Sequence, residues 1–307
     1  MKKSSVLAAV LVLSFASAVM AAETTAVAPL DLNLPATAEA GCCACPADPT
    51  VTGDIYIGPV SNYLFRGNSL SKPSGSDFAI QGGVDLYYKA FTFSYWGNAL
   101  NRYSRSTKYT ANYPDNYDGT PGEFAGYKRA KVNETDLILD YAVPFTIPYL
   151  DNLKFNVGTI YYAVDAIEDT NEFYLKAAYD TLLKPTFTVY WDNMLATKAG
   201  LFYSGAISHK INIERNLFAA NVGALVSYNQ RNPSAAYSNI VTGDANGDGV
   251  YSGWHNYELT ASIDYTPTAH ITITPSYMFS NGLSSGAKDL VGIRAQNAYG
   301  IKALFSF

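Results

Sequence analysis

From residue 299 onward every second position carries an apolar or aromatic side chain: Tyr299, Ile301, Ala303, Phe305 and Phe307, alternating with Gly300, Lys302, Leu304 and Ser306. A period of two places these sets on opposite faces of an extended strand. In water such a strand, with an aromatic row and unpaired backbone, invites aggregation. The pattern therefore predicts a closing stave of a barrel in lipid, with Tyr299, Ile301, Phe305 and Phe307 as the outward face that barrel-assembly machinery engages.

The same alternation recurs along the chain. Strands are predicted over 53–65, 78–88, 91–100, 134–143, 153–163, 172–180, 185–193, 199–208, 217–228, 255–265, 270–280 and 297–307. Twelve is an even number, and each stretch has close to the 9 to 11 residues of a tilted transmembrane strand. The fold class expected is all-β: an antiparallel up-and-down transmembrane barrel. Connections such as Lys89-Ala90 and 181–184 are brief, whereas 101–133 and 229–254 are long. Short turns on the periplasmic side and long loops outside place both termini in the periplasm. Aromatic girdles are expected at two levels: Tyr88, Phe91, Tyr179, Phe187, Tyr265 and Phe307 below, with Phe78, Tyr161, Phe173, Trp191, Tyr257 and Tyr299 above.

Composition agrees with two opposed surfaces averaged together. Only 15% of residues are charged, while the chain holds 25 Tyr and 23 Gly; a soluble domain usually carries about 25% charge. No run of 18 apolar residues spans a membrane as a helix. Residues 1–21, with Lys2 and Lys3 before an apolar stretch and a small-residue cleavage pattern, read as a secretory signal peptide. Residues 22–50 form a flexible periplasmic lead and 51–307 the barrel of a Gram-negative outer membrane. A net charge of -5 argues against nucleic acid as a partner, leaving membrane lipid and small solutes or ions.

Three local motifs carry possible chemistry. In the loop before the tenth strand, Asp244, Asn246 and Asp248 stand at positions 1, 3 and 5 of a calcium loop, with Gly249 at the turn and the Val250 carbonyl at position 7. His255 takes the place of the usual glutamate at position 12, and a polar Asp-Gly turn explains the same letters. Cys42, Cys43 and Cys45 in the lead could bind a soft metal or form disulfides. A barrel-embedded hydrolase needs a nucleophile beside an oriented base. His209 and His270 fall at periplasmic turns and His255 at the outer rim, without a Gly-x-Ser-x-Gly context, so no enzyme is expected.

Parity assigns Asp85, Asp136, Asp140, Glu172, Asp180, Asp192, Glu258 and Asp264 to the lumen, against Lys89, Lys154, Lys176 and Lys302. Eight acids against four bases predict mild cation preference in an open pore. Alternatively the ions pair with one another and the lumen is occluded.

Residues 51–100 resemble the opening of the TorF-type porins, a bacterial outer-membrane family. The likeness rests on Ser61-Asn62-Tyr63-Leu64-Phe65-Arg66-Gly67 and on Gln81-Gly82-Gly83. It implies a barrel and a channel without naming a solute. Arg66 is expected at the end of the first strand, either paired with lumen acids or solvated at the rim. The function expected is passive diffusion of small solutes or ions. A structural or surface-binding barrel is the alternative, and a hydrolase the third.

Overall fold

Alternating strands with an apolar outer face leave backbone N–H and C=O groups that lipid cannot satisfy, and closing the sheet on itself removes every edge. In the computed structural model this is what the chain does; residues 50–72, 76–103, 129–145, 147–165, 169–194, 200–214, 217–232 and 251–307 are described. The expected signal peptide, the cysteines and the calcium-loop residues Asp244, Asn246, Asp248 and Val250 lie outside them.

The strands are β1 (Thr52–Val60), β2 (Leu64–Phe65), β3 (Asn68–Ser69), β4 (Ala79–Tyr88), β5 (Phe91–Tyr103), β6 (Arg129–Val143) and β7 (Leu153–Val164). They continue with β8 (Thr170–Tyr179), β9 (Thr186–Asp192), β10 (Gly200–Glu214), β11 (Phe218–Gln230), β12 (Ser252–Thr268), β13 (Ile271–Gly282) and β14 (Gln296–Ser306). Twelve form a closed antiparallel barrel in which each pairs with its sequence neighbour and β1 closes on β14. At the seam Ile55 faces Phe305 and Ile57 faces Ala303. Gly53 and Phe307 exchange both backbone hydrogen bonds, at 3.0 and 2.9 Å. The chain ends at residue 307 on the seam, so the end holding it and the two-residue turn at Lys89-Ala90 is termed the near end.

The outer face is apolar, as the alternation requires. Ile55, Ile57, Phe93, Leu139, Phe173 and Ile301 are among its exposed side chains. Two of the expected girdle aromatics, Phe173 and Trp191, lie 6.1 Å apart, and a third, Tyr265, stacks at 5.0 Å on Phe218, which was not among those expected. The inner face is less uniformly polar than parity predicts. A buried cluster of Tyr63, Phe65, Trp96, Leu100, Tyr162 and Tyr174, with others, fills part of the lumen.

Three expected assignments change. The first strand ends at Val60 rather than at residue 65, because Asn62 turns the chain inward and Leu64–Phe65 pairs with Asn68–Ser69 in a separate two-stranded sheet. Lys89 is not a lumen residue: it occupies the β4–β5 turn at φ 54°, a position outside the pleat and its parity. Asp180 follows β8 at the near rim, 3.8 Å from Lys154 Nζ, with both side chains substantially exposed.

The seam tolerates little added bulk. A Cβ on Gly58 would stand 2.0 Å from the Ile301 carbonyl oxygen, whereas one on Gly97 meets nothing nearer than 3.5 Å. Gly58→Ala should therefore destabilise the barrel by about 1–3 kcal/mol through overpacking against backbone, and Gly97→Ala should not. Folded yield on heat-modifiable gels and urea midpoints in micelles compare the two; equal midpoints would contradict the close seam.

Candidate functional site in the barrel lumen

After β1 the chain folds back into its own barrel. Asn62 anchors the bend: its Oδ1 accepts from Ser69 Oγ at 2.6 Å and Ser71 Oγ at 2.8 Å, and Tyr63 N–H donates to Ser71 Oγ at 3.0 Å. The β2–β3 hairpin turns through Arg66 and Gly67, with φ of 47° and 77°. Positive φ at both central residues matches the twist of a tight hairpin but is unfavourable for a side chain such as arginine. Tyr63, Leu64, Phe65 and Arg66 are all buried at 3% exposure or less. Tyr63 lies 5.5 Å from Trp96, and Phe65 meets Tyr162 edge-on at 5.9 Å. The segment is a plug.

The strained turn is held by its arginine. Arg66 Nη1 donates to Glu172 Oε1 at 2.9 Å and Nη2 to Oε2 at 2.7 Å, a bidentate pair with both side chains wholly buried. Glu172 also accepts from Asn232 Nδ2 at 2.9 Å and from the Tyr162 hydroxyl at 3.1 Å. Such saturation is what a desolvated carboxylate needs. The guanidinium lies 4.1 Å from the ring centre of Phe202 and 5.0 Å from that of Tyr190, within cation–π range.

His255 grips the same turn. Its Nε2 stands 2.9 Å from the Arg66 carbonyl oxygen, an acceptor, so Nε2 carries the proton. The Tyr251 hydroxyl donates to Nδ1. Burial raises the pKa of that hydroxyl, which keeps it a donor. Neither ring nitrogen is left for base catalysis. His255 is thus no rim residue: it is fully buried, as is Asn256 beside it. The register shift between Val226 and Tyr228 sets two β12 residues against Ser227, and this bulge turns both inward.

Nearer the termini the lumen is charged and more accessible. Asp54 accepts from the Tyr87 hydroxyl at 2.8 Å and faces Asp85 across β1 and β4. Asp264 accepts from Thr274 Oγ1 at 2.9 Å and Asn221 Nδ2 at 3.0 Å, with Lys210 Nζ at 3.4 Å. Lys302 Nζ lies 5.6 Å from the Tyr56 ring centre. Between vestibule and plug, Asp140 accepts from Asn156 Nδ2 at 2.5 Å and from the Tyr174 hydroxyl, and Lys176 faces Asn156 across β7 and β8.

Asp85, Asp136, Asp140, Glu172, Lys176, Asp192, Glu258, Asp264 and Lys302, expected to line the lumen, all stand on barrel strands, where Asp85 is opposite Ser94, Asp136 opposite Trp96 and Glu172 opposite Asp192. Asp136, Asp140, Asp192 and Glu258 are buried. Lys154 lies at the near mouth, with 39% of its side chain exposed. Tyr299, Ile301, Phe305 and Phe307 face outward, Tyr299 at 66% exposure. Sequence reasoning missed Asp54, Glu134 and Lys210. The parity that selected Asp136 would have found Glu134, and the same alternation applied to the first strand would have found Asp54, whereas Lys210 lies past the predicted end of its strand.

No family model and no curated protein matches the chain. Among solved structures it is similar to the NanC porin, at 13% identity over 83% of this chain and 100% of that one, with a TM-score of 0.46. The KdgM porin follows at 9% identity, 83% and 99% coverage and 0.43, and OmpT of Vibrio cholerae at 10%, 85% and 99%, and 0.36. All three scores are below 0.5, so the function proposed below rests on this chain's own residues.

Removing one partner of a wholly buried ion pair costs about 3–5 kcal/mol, because the other charge is left uncompensated. Arg66→Ala and Glu172→Gln should each loosen the plug more than the double variant does. Hydrogen exchange should quicken at residues 62–71 while amides of β10–β13 stay protected. Unchanged protection of the plug in both single variants would show that its apolar side chains hold it without the pair.

Proposed function

We propose that this chain is a bacterial outer-membrane channel for small solutes or ions, closed in the described state by its own first connection. The apolar outer wall suits lipid, and the short turn and the terminus at the near end suit a periplasmic face. The resemblance to the TorF-type porins supports the same assignment, and one of the two stretches that carry it, Ser61 to Gly67, bends into and forms the plug.

The observation that favours a channel over a filled structural barrel is the independence of the obstruction. The β2–β3 pair is a sheet of its own, outside the barrel's hydrogen-bonded ladder. Leu70 N–H returns to the Tyr63 carbonyl at 2.8 Å, so the hairpin satisfies part of its backbone internally. The plug can leave without breaking the wall. Withdrawal of Arg66 would remove a cation from among Glu134, Asp136, Glu172, Asp192 and Glu258, and this acidic lining would favour cations.

In planar bilayers the wild type should conduct rarely, and Arg66→Ala should conduct for much longer intervals. The open variant should prefer potassium to chloride, most clearly at 0.01 M salt, where the Debye length is about 30 Å. Neutralising Glu172 and Asp192 together in that variant should shift the reversal potential toward non-selectivity, whereas Leu137→Ile on the outer wall should not. Absence of current from every variant would favour the occluded structural barrel. Anion preference would overturn the role given to the inward acids.

A further inference from the structure

The side chains that hold the plug's tip all come from outside the plug. Tyr162 and Asn232, both outside the hairpin, each donate to one oxygen of Glu172, and each of those oxygens also accepts from the guanidinium. Phe202 and Tyr190, 6.4 Å apart and inclined at 57°, supply the ring faces. His255 stands edge-on to Phe202 at 5.3 Å and directs Nε2–H to the Arg66 backbone carbonyl. A carboxylate fork, two aromatic faces and one further donor make a receptor for a planar cation with paired N–H donors.

We propose that this pocket is a binding site for small solutes bearing a guanidinium group, which Arg66 occupies while the barrel is closed. The assignment rests on reading the lumen as a solute path. An ammonium group fits less well: it is a compact, strongly hydrated point charge and cannot present two coplanar N–H bonds to both oxygens of Glu172. Arginine fits further, because its carboxylate can accept the His255 N–H that the Arg66 carbonyl now takes.

The plug backbone remains after Arg66 is truncated, so the probe must fit the space of the side chain alone. Methylguanidinium and methylammonium meet that condition. Each would be titrated against Arg66→Ala protein folded in detergent micelles, with thermal unfolding followed by circular dichroism. Arg66→Gly would be examined beside it, because glycine relieves the positive φ at this turn and protects against a folding failure of the alanine variant. Methylguanidinium should raise the melting temperature of both, with an affinity about tenfold or more above that of methylammonium, since one charged hydrogen bond is lost with the ammonium. The wild type, whose pocket is filled, and Arg66→Ala/Glu172→Gln should not respond. Equal effects of the two cations, no effect of either, or a methylguanidinium effect that survives Glu172→Gln would each overturn the site. Binding in a barrel that passes no current would sink the channel and leave the site. Current from a barrel that binds neither probe would do the reverse.

Discussion

Closure of β1 on β14 is the constraint on which the rest of the molecule depends. An open sheet would leave two rows of backbone donors and acceptors unpaired, and in lipid each such group costs several kcal/mol. Gly53 and Phe307 complete the seam at one end, and the narrow approach of Gly58 to the Ile301 carbonyl tightens it further along. Once the wall is closed, parity sorts the side chains of each regular strand stretch into an outer and an inner set. The outer set needs only to be apolar. The inner set must solve a harder problem, because carboxylates brought into a narrow lumen lose water and must find partners.

The chain solves that problem with a segment of itself. The plug brings apolar surface to Trp96 and Tyr162, and it brings a guanidinium to Glu172 among the buried acids. The two contributions work together. Aromatic packing excludes water from the ion pair, and exclusion of water strengthens the charge-assisted bonds between its partners. The turn that presents Arg66 adopts a backbone conformation an arginine does not prefer. This strain is offset only while Glu172, His255, Phe202 and Tyr190 hold the residue.

Much of the wall was legible in the letters. Alternation located all twelve strands, most within a few residues of their observed ends. The plug was not legible. Tyr63 and Phe65 continue the alternation begun at Ile55 and Ile57, and an apolar side chain packed in a protein interior carries the same signature as one facing lipid. His255 failed for a different reason. A bulge adds one residue to one strand and reverses parity beyond it, and no local letter announces that shift.

The sequence by itself therefore determined the architecture, because period, strand length and turn spacing are properties of neighbouring residues. Tertiary structure alone decided that a short segment after β1 enters the lumen, that Arg66 meets a glutamate 106 positions away, and that Tyr251 and His255 close on its turn. These contacts join residues whose separation along the chain carries no periodic signal. They form only because the closed wall brings β8, β10 and β12 around one narrow space, where a buried charge has few partners to choose from.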